Sequence, residues 1–191
     1  SEYRYTGAPL ASLQSLDRAG CVVYVGTLSK VLFPGLRLGY MVAPPALAEA
    51  LVQAKAVVDR HTAIVPQMAL ADFIAEGHFA RHIRRTRDSN AERRDVLLRG
   101  LARELDDQLY CGPADSGLEL CAYFRAAHQE ESVSRAGLEQ GIELRPLGHY
   151  AVPGASAACA TPAGLLLGFA AIPTAEIEHG VRVLGQLLRG R

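Results

Sequence analysis

From Val22 to Tyr40 the chain reads Val22-Val23-Tyr24-Val25-Gly26-Thr27-Leu28-Ser29-Lys30, then Val31 and Leu32-Phe33-Pro34-Gly35-Leu36-Arg37-Leu38-Gly39-Tyr40. The β-branched run reads as a buried strand over 22–26, and Gly26 lets the backbone leave it sharply. A second strand is predicted near Leu36 to Ala43, stopped by Pro44-Pro45. Lys30 then stands just past the carboxyl end of a strand, the place where open α/β sheets bind ligands. A primary amine held there can condense with an aldehyde. Thr27, Ser29 and Arg37 can hold a phosphate beside it, because a planar guanidinium makes two charge-assisted bonds to phosphate oxygens. Hydroxyls at a strand-to-loop turn also serve merely to satisfy local backbone groups, so Thr27 and Ser29 are weaker candidates than Lys30 and Arg37.

The remaining composition sets bounds on function. With 191 residues the chain can build one good core or one and a half modest domains. Twenty basic and twenty acidic side chains cancel, so no global charge draws it to nucleic acid or an anionic membrane. An apolar fraction of 49% excludes disorder, and no apolar run approaches membrane-spanning length. Cys21, Cys111, Cys121 and Cys159 lack paired metal spacing and read as reduced, buried thiols in a cytoplasm.

An aldehyde and a phosphate on one ligand describe pyridoxal 5′-phosphate (PLP). The segment from Thr27 to Tyr40 resembles the lysine segment of fold-type I aminotransferases, and most of all the aminotransferase-like domain of MocR-type regulators in the GntR family. The flanks agree: Glu2-Tyr3-Arg4-Tyr5 and Leu16-Asp17 before it, Asp59-Arg60-His61-Thr62, Gly77-His78-Phe79 and Arg81-His82-Ile83-Arg84-Arg85 after it. The resemblance implies an α/β fold: the end of the large domain of a PLP-dependent transferase (fold type I), followed by a small α+β C-terminal domain. It implies boundaries at 1–77 for the large-domain part, 78–105 for a linking helix and 106–191 for the small domain. It also implies that Lys30 holds PLP as an imine and that Arg37, Thr27 and Ser29 bind its phosphate. The implied partners are a small amine or amino acid and a second protomer, with DNA contacted only through a separate amino-terminal domain.

The same resemblance places the aspartate for the pyridine nitrogen, the tyrosine near the ring oxygen and the stacking aromatic upstream of this chain. The chain is therefore expected to be a carboxyl-terminal piece, with the strand at 22–26 left with open edges and uncovered apolar faces. Where many aminotransferases carry an arginine for the substrate carboxylate, the matching stretch is Leu165-Leu166-Leu167-Gly168-Phe169. A free-standing aminotransferase acting on a small amino acid and a non-catalytic dimerisation fragment are the alternative readings.

Periodicity organises the rest. Helices are predicted over Ala46 to Val58, over Pro66 to Glu76 with Gly77 as its stop, and from His78 to about Leu105 with a possible break at Asp88-Ser89-Asn90. Alternation predicts a strand over Leu118 to Phe124, and shorter strands over Ile142 to Leu147 and Leu165 to Phe169. Glu130 to Gln140 reads as a helix ended by Gly141. Thr174 is the expected cap of a last helix with Ile177, Val181, Leu184 and Leu188 on one face. Gly154 to Pro162 reads as a loop. His78 and His82, four apart, lack an acidic or cysteine partner for a metal and read as partly exposed histidines. Arg81, Arg84, Arg85 and Arg87 read as a solvated helix face.

Overall fold

A computed structural model of the chain describes residues 3–126, 129–152 and 162–190. The backbone divides into two compact units, one formed by Ala8–Arg85 and the other by Tyr3–Gly7 together with 86–190.

In the first unit, β1 (Tyr24–Thr27) and β2 (Gly39–Val42) form a two-stranded antiparallel sheet in which Gly26 faces Tyr40 and Thr27 faces Gly39. A four-residue helix, α1 (Leu13–Leu16), precedes them. The strand begins two residues later than predicted and is not buried, since Val25 is 69% exposed. Gly26 lies inside β1 rather than at its exit. Its role is steric: a Cβ there would stand 2.3 Å from the Tyr40 ring, which the strand pairing lays over it. A Cβ at Gly39 would likewise meet the Gly26 carbonyl at 2.9 Å, so the two glycines let the two backbones approach.

Pro45 opens α2 (Pro45–Val58) at its first turn, as proline's fixed φ and missing N–H allow. Helix α3 (Ile64–Ala75) starts two residues before the predicted Pro66, and Gly77 follows it at φ 76°, a left-handed conformation that glycine adopts without penalty. Neither helix buries a side chain: Val57, Val58, Ile64 and Val65 are all exposed.

Helix α4 (His78–Leu105) runs without a break through Asp88, Ser89 and Asn90. Tertiary contacts override the poor helix propensity there. Asn90 is buried, and its Oδ1 accepts from Arg93 Nη1 at 3.2 Å while the same nitrogen donates to the Ala170 carbonyl at 2.5 Å.

The second unit holds the core. Its antiparallel sheet has the order β3-β4-β6-β5, with β3 (Leu109–Cys111), β4 (Glu119–Phe124), β5 (Arg145–Pro146) and β6 (Gly164–Gly168). Along β4 the even positions Leu120, Ala122 and Phe124 are buried and the odd ones half-buried, as the alternation predicts. Leu97, Leu101 and Leu105 of α4, Val133 of α5 (Glu130–Glu139) and Ile177, Val181, Leu184 and Leu188 of α6 (Thr174–Arg189) complete one apolar cluster with the sheet. Strand β3 escapes a periodicity reading because it has three residues. The strand predicted over Ile142 to Leu147 shrinks to two, since a 3-10 turn begins at Leu147. Thr174 is the first helical residue of α6, and Pro173 occupies the cap position. The loop predicted at Gly154 to Pro162 lies, except for Pro162, outside the described residues.

Tyr3 and Tyr5 belong to this unit as well. The Tyr5 phenol donates to the Gly117 carbonyl at 2.5 Å and the Arg94 guanidinium lies 4.8 Å from its ring centre. Burial pushes its pKa up to about 12, against a smaller lowering by Arg94. Three thiols depart from the expected buried set, Cys21 being exposed and Cys111 and Cys121 half-buried, while Cys159 lies outside the described residues. Burial raises the Cys111 pKa.

Leu105 is fully buried, and Leu105→Ala is expected to lower stability by about 2–5 kcal/mol through lost transfer energy and a residual cavity. Leu16→Ala, at a side chain 64% exposed, is expected to change it by less than about 0.5 kcal/mol. Urea unfolding of both variants checks the contrast.

Candidate cofactor site

The lysine segment folds as one loop closed at its base. Beyond the β1–β2 ladder, the Leu28 N–H donates to the Leu38 carbonyl at 3.1 Å, joining the two ends of the loop. Within it the Leu32 N–H donates to the Leu28 carbonyl at 2.9 Å, so Lys30 sits at the middle of a single closed turn. Leu28, Val31 and Leu38 are buried and anchor this loop, while Lys30 and Arg37 are exposed. Alternating apolar and polar residues in the sequence become anchors and presented groups.

Pro34–Leu36 form a short 3-10 turn, and Arg37 follows it in the left-handed region at φ 51°, ψ 32°. A non-glycine residue in that region costs on the order of 1–3 kcal/mol and persists only where its surroundings demand it. Here the Arg37 N–H closes the turn on the Pro34 carbonyl at 3.3 Å, and buried Leu38 follows at once. Among the described residues neither Lys30 nor Arg37 has a side-chain hydrogen bond or ion pair. No carboxylate occurs from residue 18 to 48, so Arg18, Lys30 and Arg37 lie on a locally cationic stretch.

Thr27 Oγ1 accepts from the Ser29 N–H at 3.2 Å, the local turn role foreseen as the bland alternative, and its hydroxyl proton remains available to a ligand. Thr27 also lies at the edge of a cleft of about 510 Å³ within the same unit, walled by Leu28, Val31, Leu38, Tyr40 and Phe79. Lys30, Arg37 and Ser29 are not among the residues lining that cleft. The structure presents Lys30 to solvent.

Two supporting residues escaped the sequence reading. Asp17 accepts four backbone hydrogen bonds, Oδ1 from Ala19 and Gly20 and Oδ2 from Cys21 and Val22, all at 2.8–2.9 Å. It thereby fixes the turn that leads into β1. These bonds, the one from Val22 foremost, hold its carboxyl below the ordinary carboxylate value. The signal was an aspartate two residues before a small-residue turn. His82 of α4 bonds the Val31 carbonyl at 2.8 Å, whereas His78 engages Glu76 and Arg81 and is stacked on Phe73. Among the described residues no His, Cys, Asp and Glu cluster suits a metal. Arg81, Arg84, Arg85 and Arg87 are exposed along α4.

The sequence pattern of the aminotransferase class I and II family matches residues 5–184. The chain belongs to that family. It is 38% identical over 187 residues to the "Probable rhizopine catabolism regulatory protein MocR" of Rhizobium meliloti, covering 96% of this chain and 36% of that protein. It is 32% identical to the 2-aminoadipate transaminase of Thermus thermophilus, covering 99% of this chain and 47% of that enzyme. Among solved structures it superposes with a TM-score of 0.85 on LysN, the α-aminoadipate aminotransferase of Thermus thermophilus complexed with N-(5′-phosphopyridoxyl)-L-leucine. That match has 31% identity and covers 99% of this chain and 48% of the other. The chain thus spans less than half the length of these relatives. The expected α/β class, the end of a fold-type I large domain followed by a small α+β domain, stands. No helix among the described residues is long and apolar enough to cross a membrane.

Asp17→Asn is expected to destabilise the turn before β1 at neutral pH. A carboxyl with a lowered folded-state pKa contributes stability above its unfolded value of 3.8, and that contribution fades as pH falls through the folded value. The gap between wild type and variant should therefore close below about pH 4. Amide exchange at residues 19–22, followed across pH, checks this.

Proposed function

We propose that this chain is the PLP-binding, aminotransferase-like portion of a MocR-type transcriptional regulator. The observation that carries it is one closed loop presenting two exposed, unpaired cations, Lys30 and Arg37, in a stretch without carboxylates.

The donor set fits the cofactor. Lys30 Nζ offers a primary amine for the aldehyde carbon. Arg37 offers a guanidinium whose two N–H edges match phosphate oxygens, and Thr27 and Ser29 offer hydroxyl donors on the same loop. The left-handed backbone of Arg37 suits a side chain held for a ligand at some local cost. When bound, PLP supplies an electron-withdrawing ring conjugated to the ligand's amine-bearing carbon. Lys30 Nζ is then the group on this chain able to carry a proton to or from that carbon. Arg37 would hold the dianionic phosphate, with Lys30 as the amine on the same closed loop.

The similarity to MocR over 96% of the chain supports the regulator reading. In it a small amine or amino acid is the effector, and DNA is contacted by a separate amino-terminal winged helix in a cytoplasmic homodimer. Exposed apolar side chains on α2 and α3, such as Val57, Val58, Val65 and Met68, fit a surface on which the rest of a large domain or a second protomer packs. The second reading, a free-standing aminotransferase, draws on the similarity to 2-aminoadipate transaminase. A winged-helix segment upstream in the full-length protein separates the two.

In the full-length protein, Lys30→Ala is expected to abolish a visible absorption band formed with PLP. Arg37→Ala is expected to weaken PLP binding more than tenfold, since each charge-assisted bond contributes about 1.5–3 kcal/mol, and to leave pyridoxal binding nearly unchanged. Equal losses for the two ligands would assign Arg37 a structural role only.

A further inference from the structure

We infer that the second unit carries a ligand site of its own, an apolar cleft that takes a small organic cation with an apolar body. The cleft has a volume of about 420 Å³. It is lined wholly by residues of that unit and shares none with the loop of Lys30 and Arg37. Leu97 and Leu101 of α4, Leu167 of β6 and Val181 and Leu184 of α6 form its walls, and the turn after α5 borders it at 141–144. Pockets of roughly 300–1,000 Å³ with apolar walls and a few polar groups are the usual form of a small-molecule site.

Gly180 bears on whether this space has a use. It lies in the middle of α6, where glycine weakens a helix relative to alanine. Packing gives no reason for it. Among the described residues a Cβ at 180 would meet Ile142 Cγ2 alone, at 3.9 Å, an ordinary contact. Gly100 of α4 differs, since a Cβ there would stand 3.3 Å from Val181 and force that neighbour to give. The missing side chain at 180 therefore leaves room in the wall of the cleft, at the expense of the helix and with no close contact that requires it.

The exposed edge of the cleft sets the charge of what it takes. Glu143, Glu176 and His179 stand there, and no lysine or arginine is among the lining residues. Taken alone, Glu176 is an acidic residue in the first turn of α6, where the helix dipole favours it. Glu143 has Arg145 Nε at 3.9 Å, but Arg145 is held more closely by Glu119, at 2.5 Å, on the neighbouring strands. Two carboxylates beside apolar walls complement a positive head on an apolar chain, and they repel an anionic head.

The test uses the full-length protein and hexyltrimethylammonium, with 1-hexanol and hexanoate as neutral and anionic chains of the same length. A quaternary ammonium has no N–H and cannot condense with an aldehyde, so it does not report on the chemistry of Lys30. Calorimetry measures affinity, and amide exchange at 141–144 and 176–184 locates the site. The cation is expected to bind about tenfold more tightly than hexanoate, and Glu143→Gln and Glu176→Gln each to weaken it about two- to fivefold. Gly180→Leu fills the cleft and should abolish binding. Gly180→Ala should raise the thermal midpoint, because the helix gains and nothing clashes. Lys30→Ala should leave cation binding unchanged, so this inference and the reading of Lys30 fail separately. No binding of the cation to wild type, equal affinity for the three chains, binding retained in folded Gly180→Leu, or a lowered midpoint in Gly180→Ala would each overturn the inference.

Discussion

The backbone pairing between β1 and β2, extended by the Leu28 to Leu38 hydrogen bond, is the constraint on which the candidate site depends. It turns an eleven-residue excursion from 28 to 38 into a closed loop, so that Lys30 and Arg37 belong to one rigid base rather than to independent segments. That closeness of backbones is possible because Gly26 and Gly39 have no Cβ and Tyr40 can lie over the strand. The anchors Leu28, Val31 and Leu38 then decide which side chains turn inward. What is left outward is an amine and a guanidinium with no anion of their own.

The two units differ in what their sequences can bury. In the one formed mainly by 86–190, sheet, α4, α5 and α6 enclose a single apolar cluster in which Leu105 and Leu165 have no exposure. In Ala8–Arg85, α2 and α3 form yet bury no side chain. Helix formation and core formation are separate events, and only the second supplies most of the stability of a helix in water. A chain covering under half of its relatives' length can show the first without the second.

Much of this was legible beforehand. The strand at Glu119–Phe124 follows from strict alternation, and the long helix from the four-residue spacing of Leu97, Leu101 and Leu105. The lysine loop follows from residue types whose chemistry has few other uses together. What stayed hidden has physical causes. Strands of two or three residues carry no period. Asn90 looked like a helix breaker because its burial, and the bond from its partner Arg93 to the Ala170 carbonyl, are long-range facts. The burial predicted for the strand at 22–26 failed because β-branched composition reports strand propensity, whereas burial depends on what lies across the sheet. Asp17 and His82 were read as flanking residues because their partners are backbone groups, which carry no sequence signature.

The central claim is that Lys30 is the amine that holds the cofactor. Borohydride reduction of the full-length protein saturated with PLP, followed by peptide mapping, tests it most directly, because Lys30 and Lys55 are the two lysines of this chain. The account predicts that, of these two, the reduced pyridoxyl mass falls on the peptide containing Lys30. Its appearance on Lys55, or its absence from both, would contradict it.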